Sequence, residues 1–181
     1  MQVGETIYNR VTGEEMTLLE TSSIRTRHRF TLPPHGQGVF LHIHTTFIEK
    51  FLVLNGELNM IVGDPTRPFT LQAGQRGEVP LRSVHRFWNS SDQPVEFEVE
   101  IVPSRNFTQT LETLFALANA GGVKADGSPR HVFDLAIIGL MSESYLPGLP
   151  IWLQKALFAV IASIARLAGH QTLKTPTRQA I

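Results

Sequence analysis

The chain has 181 residues, enough for one compact domain with a sizeable core. Lys+Arg and Asp+Glu both number 16, so no net field draws the protein to nucleic acid or to an anionic membrane surface. Cysteine is absent, which excludes a disulfide framework, a thiol nucleophile and a Cys-ligated metal. The same absence fits a reducing compartment, and the opening MQVGETIYNR holds no apolar signal-peptide core, so a cytoplasmic location is expected.

The first hundred or so residues read as short strands. Strands are predicted over 6–8 and 16–20, flanking a turn with Asn9 and Gly13, and over 24–32, where Ile24, Thr26, His28 and Phe30 alternate with Arg25, Arg27 and Arg29. Pro33, Pro34, Gly36 and Gly38 mark a loop. Further strands are predicted over 39–44, 48–54, 58–62, 68–72, 77–80, 85–89 and 95–102. Asn55-Gly56 between two of them reads as a two-residue hairpin. Short strands at this spacing predict an all-β barrel or sandwich.

The pattern then turns helical. Asn106 and Gln109 read as a capping box ahead of Leu111, Leu114, Phe115 and Ala118, and Gly121-Gly122 stops that helix. Ser128-Pro129 reads as the start of a second helix, and Pro147 and Pro150 precede a third that ends near Gly169. The apolar stretch 149–169 is interrupted by Gln154, Lys155 and Arg166. Its charge-free part, 156–165, falls short of the roughly 18 residues of a spanning helix, so a buried or interface helix is expected. Residues 170–181 read as a polar tail. The expected organisation is a barrel over 1–104 and a helical extension over 105–181, packed on it as one unit.

The residues that carry chemistry lie in the barrel half. His42 and His44 stand two apart on a strand and so share a face, which in a closed sheet is the interior. Glu49 follows after a break at Thr45-Thr46, and His85 is a fourth candidate on a later strand. Three imidazoles and a carboxylate suit one divalent transition metal such as Fe, Mn, Co, Ni, Cu or Zn.

The spacing of these residues resembles the two motifs of the cupin superfamily. Gly36, His42, His44, Glu49 and Gly56 stand at the positions of the first motif; Gly74, Pro80, His85 and Asn89 stand at those of the second. One position departs, Arg82, where the family has glycine. The resemblance spans about residues 22–103. It implies a double-stranded β-helix, or jelly-roll, barrel followed by about three C-terminal helices, with a metal on His42, His44, Glu49 and His85. The whole chain also resembles a group of small bacterial cupin proteins that share an opening with Glu5, Asn9, Val11, Thr12, Gly13 and Glu14, and elements like 111–118 and 154–159.

Counting by two along the strands turns Phe40, Phe51, Met60 and Phe87 inward, as pocket-lining candidates around the metal. Most apolar residues of these strands simply fill a core. Arg82 reads either as a solvated loop residue or as a cation at the barrel mouth. Trp88 faces away from His85, and His28 and His35 lie outside the motif spacing. His131 and Asp134, three apart on the second helix, read as a surface hydrogen-bonding pair. Arg25, Arg27 and Arg29 are expected to meet Glu96, Glu98 and Glu100, within one chain or across a dimer. The helices carry enough apolar surface to cover the barrel's outside, its open end or a second subunit, and a homodimer is expected.

The function these readings favour is a metal-binding cupin acting on a small apolar or aromatic molecule, possible as a dioxygenase with Glu49 as base. A metal-dependent isomerase or lyase, or a non-catalytic binding module, is the alternative.

Overall fold

Alternation decides the strands. In the stretch VEFEVEIV every second side chain, Val95, Phe97, Val99 and Ile101, is buried, while Glu96, Glu98 and Glu100 point outward. In TRHRFTL the buried set is Thr26, His28, Phe30 and Leu32. The structure, a computed structural model, describes residues 1–172, so most of the polar tail expected over 170–181 lies outside them.

The strands are β1 (Thr6–Tyr8), β2 (Glu15–Thr21), β3 (Thr26–Leu32), β4 (His42–His44), β5 (Ile48–Asn55), β6 (Glu57–Val62), β7 (Phe69–Gln72), β8 (Arg76–Val79), β9 (Val84–Trp88) and β10 (Val95–Val102). Then come α1 (Phe107–Asn119), α2 (Val132–Ser142), a short strand β11 (Ser144–Tyr145) and α3 (Ile151–Leu167). Two antiparallel sheets face each other, ordered β1-β2-β3-β10-β5-β8 and β11-β4-β9-β6-β7. This is a jelly-roll barrel followed by three helices. Between the sheets lies a core of Phe30, Phe51, Leu58, Met60, Phe87 and Phe97 with aliphatic neighbours. Its rings interlock, Phe30 on Phe97 at 5.6 Å and Phe87 on Phe97 at 5.4 Å. Burying each such side chain stabilises by roughly 1.5–3 kcal/mol.

Asn55-Gly56 is not a hairpin. β5 pairs with β10 and β8, whereas β6 pairs with β9 and β7, so the chain changes sheets at Gly56. Gly56 has φ 79°, and a Cβ there would stand 2.8 Å from the Pro94 carbonyl oxygen. The glycine serves a close crossing, which local pattern does not distinguish from a tight turn.

The helix starts also differ from expectation. Asn106 caps α1 by position only, with no side-chain bond, so the capping box does not form. α2 starts at Val132, capped by His131, because Ser128 and Pro129 are used earlier: the Ser128 carbonyl accepts from the Lys124 N–H, and Pro129 bridges Val123. The charged strands meet within one chain. Arg29 stands opposite Glu98 and Arg27 opposite Glu100, with side-chain pairs such as Arg29–Glu96 at 3.4 Å and Arg25–Glu100 at 3.3 Å.

The helical segment lies against the barrel. Phe115 of α1 joins the barrel core, and the Asn119 side chain donates to the Tyr8 carbonyl and accepts from the Arg10 N–H. α2 packs on α1 through Leu117, Ala118, Val123 and Ile138. α3 packs on α2 where Gly139 makes room; a Cβ there would sit 2.6 Å from the Phe158 ring. β11, between α2 and α3, adds to the edge of the second sheet beside β4. No helix among the described residues is long and apolar enough to cross a membrane.

Candidate metal centre

The centre is assembled where the chain changes sheets. β4 is only three residues long, and its alternation puts His42 and His44 on the buried face with Ile43 outward. His42 lies directly opposite His85 in the β4–β9 register, so three imidazoles come from one sheet. Thr45, Thr46 and Phe47 then carry the chain to the other sheet, where β5 begins and Glu49 points inward. All four are buried: His42 is 7% exposed, His44 5%, Glu49 3% and His85 0%.

The ligand atoms converge. His42 Nε2 and His44 Nε2 are 2.9 Å apart, His44 Nε2 and Glu49 Oε1 3.4 Å, and His85 Nε2 and Glu49 Oε2 3.2 Å. The far side of each ring determines what the near side offers. His42 Nδ1 donates to the Phe40 carbonyl at 2.8 Å, and His85 Nδ1 donates to the Ser83 carbonyl at 3.0 Å. In its neutral form each ring therefore directs its Nε2 lone pair inward. His44 Nδ1 lies 3.3 Å from Ser144 Oγ, on β11. Apart from their mutual 3.2 Å approach, Glu49 Oε2 and His85 Nε2 meet no hydrogen-bond partner among the described residues.

Electrostatics point the same way. Burial, with His85 and His44 alongside, pushes His42 down to about 3, so it is neutral at physiological pH. Burial alone would raise the Glu49 carboxyl, but the adjacent His44 and His85 outweigh it and hold Glu49 below the usual carboxylate range. An ionised carboxylate therefore lies among three buried imidazoles. That donor set fits a divalent cation, and His42, His44 and His85 form a buried triad able to hold one.

The other residues singled out in the sequence are dispersed. Phe51, Met60 and Phe87 are 1%, 0% and 8% exposed and belong to the packed core, Phe51 and Phe87 meeting at 5.6 Å. Phe40, expected inward, is 58% exposed: regular strand starts only at His42, so counting by two does not extend back to it. Its ring still stands edge-on to His42 at 5.8 Å. The Arg82 side chain is exposed, and its backbone adopts φ 63°, the conformation of the glycine it replaces, while its N–H donates to the His44 carbonyl at 2.9 Å. Trp88 carries Arg86 on its ring, at 4.8 Å.

Sequence reasoning did not find the tail's part in this centre. Ser144 reaches His44 from a two-residue strand to which the sequence pattern assigned no element. Glu143, with φ 51°, accepts from Thr45 Oγ1 at 2.7 Å and Lys155 Nζ at 3.0 Å, tying the loop after β4 to α3. A cavity of about 490 Å³ opens here, lined among others by Thr46, Phe47, Ser104, Arg105, Met141 and Glu143. Phe47 forms part of its wall and also lies against His44, ring centroids 4.1 Å apart. The usable signal was Tyr145 followed by Pro147, a β-former and a stop after an apolar helix.

Fold and site together define a jelly-roll barrel with a buried three-histidine, one-carboxylate cluster. Residues 28–102 match the family model described as the cupin domain, and that part of the chain has the cupin fold. Solved structures with a similar fold include the cupin domain of Schizosaccharomyces pombe Cnp3, at 13% identity over 50% of this chain and 65% of that one, TM-score 0.46. Others are an RmlC-like cupin from Shewanella frigidimarina, at 18% over 56% and 86%, TM-score 0.49, and a cupin described as a sugar phosphate isomerase from Silicibacter pomeroyi, at 20% over 57% and 70%, TM-score 0.47. The chain spans less than two thirds of the first of these. No curated protein matches the chain.

Proposed function

We propose that the chain is a metal-dependent enzyme of small organic molecules, with one divalent transition metal held by His42, His44, Glu49 and His85. The observation that carries this is the buried cluster in which backbone carbonyls orient His42 and His85 so that Nε2 of each faces the Glu49 carboxylate. A bound iron, manganese, nickel, copper or zinc ion would supply a Lewis acid, and the redox-active members would support dioxygen-dependent oxidation. Glu49 is the group able to accept a proton if it leaves the metal. Phe47 lines the cavity and lies against the His44 ring, where it would help to exclude water during a reaction.

A dioxygenase of an apolar or aromatic substrate is the first reading. A specific observation favours the second, a metal-dependent isomerase or lyase: the cavity is lined by Arg105, Glu143, Thr46 and Ser104 as well as by Phe47 and Met141. Arg105 suits a carboxylate or phosphate handle. A homodimer joined through α3 goes with either reading. Leu153, Leu157, Val160, Ile164 and Leu167 are all exposed and recur at alternating steps of four and three, the spacing of a helix seam.

The test is elemental analysis of untagged protein purified without chelator, beside His42→Ala, followed by substrate screens. Stoichiometric metal lost in the variant is expected. Oxygen uptake with catechols or diketones would support the dioxygenase, whereas turnover of anionic substrates without oxygen would support the isomerase or lyase. No metal, even after reconstitution, would sink both and leave a binding module.

A further inference from the structure

A second group of ligand-type side chains stands well apart in sequence from the barrel centre, at the junction of α2 and α3. One ligand atom each from His131, Asp134 and His170 lies within 4.8 Å of the others. The placement follows from two helix ends. His131 is the N-cap of α2, and Asp134 follows three residues later, so both face the same end of that helix. α3 ends at Leu167, and Gly169, with φ 71°, turns the chain back. The His170 N–H then bonds to the Ala165 carbonyl at 2.9 Å, which holds His170 over the start of α2.

The contacts leave donors free. His170 Nε2 donates to Asp134 Oδ1 at 2.8 Å, which keeps the lone pair of the neutral ring on Nδ1. Thr172 Oγ1 also donates to Oδ1, at 2.9 Å, so Oδ2 can turn to a cation without breaking either bond. The carboxylate is buried, 6% exposed, and therefore less hydrated than a surface acid. The His131 and His170 rings are stacked, 17° apart in plane with centroids 4.9 Å apart, so the two imidazoles lie side by side at the junction. His131 is the ligand that must adjust. Its Nδ1 accepts from the Phe133 N–H at 3.2 Å, a long bond at an exposed helix end. Zinc–ligand distances of about 2.0–2.1 Å imply ligand separations of roughly 3.3 Å, so binding requires this exposed ring to turn inward and close the present 4.8 Å spread.

We propose that His131, Asp134 and His170 bind a second divalent cation of the zinc type, which staples the C-terminal end of α3 to the start of α2. Two imidazoles and one carboxylate are the donor set of an open, borderline-metal site, with remaining positions filled by water. This site does not depend on the barrel centre.

The test is zinc titration of chelator-stripped, untagged full-length protein by calorimetry, with bound zinc counted after gel filtration. Four proteins are compared: the natural chain, His42→Ala, His131→Asn and His170→Gln. Asn retains the N-cap and Gln retains a donor to Asp134, so both variants keep the structural contacts while removing an imidazole. The expected result is the loss of one zinc equivalent in His131→Asn and in His170→Gln, each with unchanged metal-free melting temperature. His42→Ala keeps that equivalent. Zinc should also slow amide exchange at 131–135 in the natural chain and in neither variant. An unchanged zinc count in both variants, or loss in only one of them, overturns the three-ligand site. Failure of the barrel centre appears separately, as an equivalent that His42→Ala does not remove.

Discussion

Arg82 sits at φ 63°, where an L side chain costs roughly 1–2 kcal/mol and glycine costs almost nothing. Its side chain is exposed, and the contact to His44 is made by the backbone. Arg82→Gly should therefore raise stability by about 1 kcal/mol and leave metal content unchanged, as read by chemical denaturation and elemental analysis. A fall in substrate turnover with unchanged metal would instead assign the guanidinium to the mouth. His28 gives the pH prediction. It is fully buried on β3, its Nε2 bonds to Thr108 Oγ1 at 2.9 Å, and burial pushes it down to about 4 from the usual 6.5. The folded state then binds fewer protons than the unfolded state between those values. Its contribution is complete above pH 6.5 and is lost as pH falls toward 4, by up to about 3 kcal/mol. His28→Phe should flatten the acid limb of a stability profile over that window; an unchanged limb would assign it to other groups. At this scale the cluster was legible because His42 and His44, two apart on a strand, share a face and Glu49 follows on the next strand. Phe40 was not, because alternation holds only inside regular strand.

β11 is the element that changes the picture of the site. It comes from the helical half of the chain, yet it pairs with β4 and sets Ser144 against His44. A hydrogen bond on the outer nitrogen of a metal-bound histidine orients the ring, and its loss typically costs 10–100-fold in metal affinity. Ser144→Ala should weaken metal retention by about tenfold in a chelator competition, with melting of the metal-free protein little changed. Equal retention would reduce Ser144 to a sheet-edge residue. The β3–β10 charge ladder offers a test of the opposite kind. Glu98 is flanked by Arg27 at 3.6 Å and Arg29 at 3.6 Å. Glu98→Lys places three cations side by side and should destabilise by roughly 1–2 kcal/mol, an effect reduced in high salt. Elements were legible where periodicity ran long, as in β3, β10 and α1. They were not legible at Ser144-Tyr145, two residues whose strand state exists only because β4 offers an open edge.

At the scale of the molecule, the apolar stripe of α3 faces away from the barrel. Leu167 is 90% exposed and Trp152 71%, more apolar surface than scattered residues account for. Leu157→Lys with Ile164→Lys should convert the expected dimer to a monomer in sedimentation analysis, with metal content retained. A natural chain that is already monomeric at micromolar concentration would remove the dimer reading.

The sequence by itself determined the strand-rich half, the helical half and the four buried residues that cluster, His42, His44, Glu49 and His85. These depend on periodicity, turn chemistry and motif spacing, all of which are local. Only the tertiary structure decided that Gly56 carries the chain from one sheet to the other, that the helical half supplies a strand and a serine beside His44, and that His170 meets Asp134. The physical reason is common to all three. Each depends on which backbone edge or helix end lies nearby in space, and a contact between residues 36 or 100 positions apart leaves no periodic trace in the chain.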